Sequence, residues 1–186
     1  MARRTVFLAL ALLSCFFLVA EVDAATFTVT LFTDSAATAA GSPIGAGDGP
    51  GSVGDLRSAI LLANSTGGTG NTITFACGTL PTPCKITLNG PLPKMTSNLT
   101  IDGETFGEII IDGSGVYRVF FADTGNITLA NLQIQNAKAQ GGAGGSGAPT
   151  AGGGGLGAGG GLFVNQLTAA VAVQNTYFLN CDAAQI

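Results

Sequence analysis

Six charged side chains fall within residues 102–123 of an otherwise sparsely charged chain: Asp102, Glu104, Glu108, Asp112, Arg118 and Asp123. Carboxylates gathered this way serve two chemistries. Two of them at a fixed separation can cleave a glycosidic bond, and several converging oxygens hold a hard cation such as calcium. Asp102, Asp112, Arg118 and Asp123 are therefore the candidates for carbohydrate or calcium binding. A plainer reading competes at two of them. Asp102-Gly103 and Asp112-Gly113 each follow an Ile-rich strand, and Asp-Gly is a turn dipeptide. The turn explains both the identity and the position of these aspartates, whereas spacing in a sequence does not show convergence. No catalytic residue, cofactor or metal-ligand set is assigned. The chain has no His, which removes His-activated Ser or Cys nucleophiles and His-based zinc sites.

The elements that must position these residues come from a near-repeat. Ile127-Thr128-Leu129-Ala130-Asn131-Leu132-Gln133-Ile134-Gln135-Asn136 recurs as Val171-Ala172-Val173-Gln174-Asn175-Thr176-Tyr177-Phe178-Leu179-Asn180. Both copies run strand, Asn, strand, Asn. A Gly-rich insert at about 141–161 separates them, and without it the 44-residue spacing falls to about 23, the range of stacked repeats. The expected fold class is all-β, a right-handed parallel β-helix or solenoid with a short N-terminal capping α-helix. Successive turns would then bring Asn131 close to Asn175, and matching amides can hydrogen-bond in a ladder. The competing arrangement is a set of antiparallel hairpins, which use the same turn residues.

Strand candidates are 26–33, 72–76, 85–88, 98–102, 108–112, 118–122, 126–130, 132–135, 161–164, 170–174 and 176–179, all rich in β-branched and aromatic residues. Residues 34–53 read as loop. The helix spans 55–64, with Leu56, Ala59, Ile60 and Ala63 on one stripe and Asp55 as its cap. Such a helix would cover the end of a strand stack, and Arg57 is read as tying that cap to a nearby carboxylate. The insert holds about 13 Gly in 21 residues and reads as a flexible loop.

The chain opens with Arg3 and Arg4, an apolar run over 6–20 and a small residue at Ala24, the pattern of a signal peptide at 1–24. Residues 25–70 then form the strand, loop and cap, and 71–186 the repeating strands. After Ala24 five basic residues face nine acidic ones, a net charge of −4, which argues against nucleic acid or anionic membrane as partner. No apolar run after the leader is long enough to span a bilayer. In an exported chain Cys77 and Cys84 are expected to form a disulfide closing a tight loop, and Cys181 is left over.

Residues 54–64 (Gly54-Asp55-Leu56-Arg57-Ser58-Ala59-Ile60-Leu61-Leu62-Ala63-Asn64) and 71–75 (Asn71-Thr72-Ile73-Thr74-Phe75) resemble the opening of exported proteins that carry the domain named for a Cys-Ser-Leu-Arg-Glu-Ala signature. Leu56, Arg57, Ala59, Ile60, Ala63 and Asn64 carry the match, and the likeness covers about 26–103. It implies a strand, a helix and an Asn-Thr-Ile strand leading into a right-handed parallel β-helix. Downstream, Gly159-Gly160-Gly161-Leu162 and Tyr177-Phe178-Leu179-Asn180 resemble the Gly-Gly-Ala-Ile and Phe-x-x-Asn motifs of polymorphic outer-membrane proteins, surface-displayed passengers implicated in adhesion. The β-helix class also includes pectin lyases and related polysaccharide enzymes.

The expected function is a secreted or surface-displayed adhesion or structural module without catalysis, whose partners would be host or cell-surface glycans or proteins. A carbohydrate-active enzyme or carbohydrate binder is the first alternative. The second is an N-terminal fragment of a larger surface protein.

Overall fold

The computed structural model describes residues 24–34, 54–67, 69–78, 83–104, 108–141 and 157–184. Nearly all of the expected leader and of the 34–53 loop, and residues 142–156 of the Gly-rich insert, lie outside these residues. The elements run β1 (Thr26–Val29), α1 (Leu56–Thr66), β2 (Asn71–Phe75), β3 (Cys84–Thr87), β4 (Leu99–Asp102), β5 (Ile109–Asp112), β6 (Phe120–Ala122), β7 (Gly125–Ala130), β8 (Leu132–Gln135), β9 (Lys138–Gln140), β10 (Leu162–Val164), β11 (Ala169–Gln174), β12 (Tyr177–Leu179) and β13 (Asp182–Ala184). The protein is thus dominated by short strands, with one helix among the described residues.

The strands form parallel sheets. One has the order β1-β2-β4-β7-β11 and another β12-β8-β5-β3, with two-stranded sheets β10-β6 and β13-β9 beside them. Every strand pair among the described residues is parallel, which removes the hairpin alternative. Register explains the apolar pattern. In the first sheet Phe27, Ile73, Ile101, Leu129 and Val173 align one over another. In the second, Ile86, Ile111, Ile134 and Phe178 do the same. Side chains alternate between faces along a strand, so each column points to one side, and every member except Val173 and Phe178 is buried in the core. A fully buried aliphatic side chain contributes about 1.5–3 kcal/mol. The near-repeat is realised in this register, with Val171 opposite Ile127 and Phe178 opposite Ile134.

α1 packs on β1 and β2 at one end of the first sheet. Its stripe of Leu56, Ala59, Ile60 and Ala63 is buried, and so is Arg57. The Asp55 side chain accepts from the Ser58 amide at 2.8 Å, and Gly67 closes the helix in the left-handed region at φ 60°. Asn71, fully buried, fastens this corner: its Nδ2 donates to the Ala63 carbonyl and its Oδ1 accepts from the Ala25 amide. Cys77 and Cys84 are joined in a disulfide with Cα atoms 6.1 Å apart.

The sequence reading ends the flexible insert at 161, but its last residues are built into the fold. A side chain on Gly157 would lie 2.0 Å from the Ala184 carbonyl oxygen, and one on Gly160 would lie 2.2 Å from that of Asp182. Val119 and Phe120 donate to the carbonyls of Gly160 and Gly161. Glycine here is required by close backbone approach. β9 and β13, absent from the expected strands, are three-residue pieces without an apolar alternation to announce them.

Candidate functional site

The four candidate residues fall into two settings. Asp102 and Asp112 each end a strand, β4 and β5, and each stands at the foot of an amide column at a corner of the chain. At the first corner Asp102 Oδ1 accepts from Asn131 Nδ2 at 2.7 Å, and Asn131 Oδ1 accepts from Asn175 Nδ2 at 2.8 Å. At the second, Asp112 Oδ2 accepts from Asn136 Nδ2 at 3.1 Å, and Asn136 Oδ1 from Asn180 Nδ2 at 3.5 Å. All four asparagines have positive φ, between 44° and 57°. Asn is among the few side-chain-bearing residues that tolerate that backbone, so it both turns the corner and links successive strands.

The turn reading of the two Asp-Gly pairs holds in a modified form. Each aspartate accepts from the amide two residues on, Glu104 or Ser114, both at 2.8 Å. The left-handed angle lies on Glu104 and Ser114 themselves, each at φ 60°, not on the glycines. Gly103 and Gly113 are needed for space: a Cβ on Gly103 would sit 2.3 Å from the Asn131 carbonyl oxygen, and one on Gly113 2.6 Å from Tyr117 O.

Asp112 is the more heavily engaged. It is buried, receives Lys85 Nζ at 2.6 Å, and accepts from Gln135 Nε2 at 2.8 Å. Burial pushes its carboxyl up, but the hydrogen bonds from Lys85, Gln135, the Ser114 amide and Asn136 outweigh it and hold the pKa at about 2. Asp112 is therefore an ionised structural anchor at neutral pH, and its oxygens are already spoken for by protein donors.

Arg118 and Asp123 flank a lateral strip built on β6 and β10. Phe121 lies opposite Phe163 in the parallel register, with ring centroids 5.0 Å apart and edge to face. The preceding strip position is Lys94, placed by the bridge between Met95 and Ala122. Arg118 sets its guanidinium 5.0 Å from the Phe163 centroid and 5.6 Å from that of Phe121, and Lys94 Nζ lies 5.4 Å from Phe121. Arg118 is fixed from behind by the carbonyls of Ala158 and Gly159. Asp123 takes Lys94 Nζ and Asn165 Nδ2, each at 3.2 Å, and its carbonyl accepts from the Thr168 hydroxyl. The Asn165 bond, followed by the Lys94 bond, lowers the Asp123 pKa from its ordinary value. Arg118 and Asp123 are candidates from the sequence; Phe121, Phe163 and Asn165, which the structure places beside them, are not. Nothing in their local sequence marks them, because Lys94, Phe121 and Phe163 align only through strand register.

Glu104 and Glu108 are exposed. Among the described residues no group of three or more His, Cys, Asp and Glu is placed to hold a metal ion, and no helix is long and apolar enough to cross a membrane. Cys181 is half-buried and unpaired, and burial raises its thiol pKa. No protein-family model matches the chain, and neither a curated protein nor a solved structure matches it significantly.

Proposed function

We propose that this chain is an exported right-handed parallel β-helix that works outside the cell as a non-catalytic adhesion or structural module. The observation that carries the reading is the pair of amide columns rooted in Asp102 and Asp112. They use as scaffold the side chains that a polysaccharide enzyme of this class would turn toward substrate. In-register parallel sheets, the opening that resembles the Cys-Ser-Leu-Arg-Glu-Ala domain and the leader-like N-terminus support the same reading. Its surface partners would be glycans or proteins of a cell exterior. The test is to incubate the purified chain with immobilised cell-surface glycans and extracellular proteins and, in parallel, with pectin and related polyanions. Retention without bond cleavage is expected; release of unsaturated or reducing ends above a blank would overturn it.

A second reading, a carbohydrate binder, is favoured by the lateral strip. Phe121 and Phe163 with Arg118, Asp123 and Asn165 combine apolar ring surface with donors and acceptors, the mixture that holds a sugar. An oligosaccharide at 100 times its dissociation constant would add about 2.7 kcal/mol to stability. A thermal shift that saturates with the sugar and disappears in Phe163→Ala is its signature, and no shift with any glycan tried would remove it.

A further inference from the structure

Asn89-Gly90 is the one Asn-Gly pair in the chain. Glycine has no side chain to hinder attack by its own nitrogen, so this is the bond at which an asparagine most readily cyclises. Gly90 N attacks Asn89 Cγ, the new C–N bond closes a five-membered succinimide, and the Cγ–Nδ2 bond breaks. The departing nitrogen takes the Gly90 amide proton and leaves as ammonia. Water then opens the ring at either carbonyl, giving aspartate or its β-linked isomer. Water is the sole co-reactant, and nothing is oxidised or reduced.

The attacking group is unrestrained, whereas its surroundings are held. The Gly90 N–H has no hydrogen-bond partner among the described residues. Beside it the Asn89 N–H donates to Asp34 Oδ2 at 2.8 Å and Asn89 Nδ2 to the Asp34 carbonyl at 2.9 Å, while the Gly90 carbonyl accepts from Arg57 Nη2 at 3.0 Å. Ring closure must swing the Asn89 carboxamide off Asp34 and turn the 89–90 peptide, so these contacts have to open first. Asp34 is itself fixed by Arg57 through two bonds between buried side chains. Asn89 is exposed, so water reaches it.

Conversion changes the corner for good. An oxygen replaces Nδ2 and faces the Asp34 carbonyl with no proton to donate, and a second negative charge is added beside the buried Asp34 carboxylate. The β-linked isomer also lengthens the backbone between positions 89 and 90, which displaces the carbonyls of Gly90 and Pro91 from Arg57.

We propose that Asn89-Gly90 is a spontaneous deamidation site gated by the Arg57–Asp34 pair. While the pair holds the turn, the asparagine stays intact. Once the turn opens, it converts and no longer closes as before, leaving a permanent chemical mark of opening at the α1 corner.

The full chain is kept in mildly alkaline buffer beside a synthetic peptide of residues 86–93, and conversion at Asn89 is followed by peptide mass mapping and ammonia release. A reaction that needs an open form follows the population of that form, so the native chain should convert at least roughly tenfold more slowly than the peptide. Arg57→Lys keeps the charge and loses the fork, and should convert at least roughly tenfold faster than the native chain. Asn131→Ala weakens a different corner and should convert no faster than the native chain. Equal rates in native chain and peptide, no acceleration in Arg57→Lys, or equal acceleration in Asn131→Ala would overturn the proposal. So would an Asn89→Asp chain that unfolds in urea at the native midpoint, since conversion would then leave the corner as it was.

Discussion

The guanidinium of Arg57 and the carboxylate of Asp34 meet fork to fork, Nε to Oδ1 and Nη2 to Oδ2 both at 2.8 Å, with both residues buried. The same guanidinium donates to the carbonyls of Gly90 and Pro91, and Asp34 Oδ2 also accepts from the Asn89 amide. One ion pair thus binds the helix, the segment after β1 and the turn at 89–91. Removing one partner strands the other charge out of water. Arg57→Met should cost about 3–5 kcal/mol of unfolding free energy in urea titration. A loss under about 1 kcal/mol would show that water reaches Asp34 and that the pair is not a structural tie.

Asn131 has two separable jobs, a left-handed backbone at φ 57° and two links in an amide column. Asn131→Gly keeps the first and loses the second, at about 1–2 kcal/mol. Asn131→Ala loses both and should be about 1 kcal/mol worse than Gly, because a Cβ strains the left-handed region. Equal stability of the two variants in denaturant would mean that the corner imposes no backbone demand.

Asp112 makes stability depend on acid. Its pKa is lowered to about 2 in the folded chain, below the value of an unfolded aspartate, so its contribution is complete above the unfolded pKa. It is lost as pH falls from about 4 toward 2, and its size is on the order of 2 kcal/mol. Asp112→Asn should flatten that part of the stability–pH curve relative to the native chain. An unchanged slope between pH 4 and 2 would refute the assignment.

Gly113 is held by space, not by torsion. A methyl group there would stand 2.6 Å from Ala137 Cα and 2.9 Å from the Asn136 carbonyl oxygen, and backbone cannot rotate away. Gly113→Ala should destabilise by about 1–3 kcal/mol. Gly115→Ala, where a Cβ meets nothing within 4 Å but φ is +69°, should cost about 1 kcal/mol. The order of the two, read by thermal unfolding, tests which constraint dominates each turn.

Much of this architecture was legible in the chain because it depends on short-range pattern. The helix follows from Asp55, the Leu56, Ala59, Ile60, Ala63 stripe and Gly67, and it formed within two residues of the expected ends. The Asn131 and Asn175 contact followed from the near-repeat, since identical spacing about identical corners leaves little freedom of register. The lateral strip was not legible. Phe121 and Phe163 are 42 positions apart in sequence yet their rings pack at 5.0 Å, and the count of residues between them includes an insert whose length says nothing about stacking.

By itself, then, the amino-acid order determined the local choices: which stretches are pleated, where the chain turns left-handed, which residue starts the helix. Those choices depend on torsional preference and alternation, which neighbours in sequence supply. Tertiary structure alone decided that Asp34 receives Arg57 and that Asp112 is anchored by Lys85 and Gln135. Parallel pairing joins strands far apart in the chain, so a side chain's neighbours there are set by how the layers align.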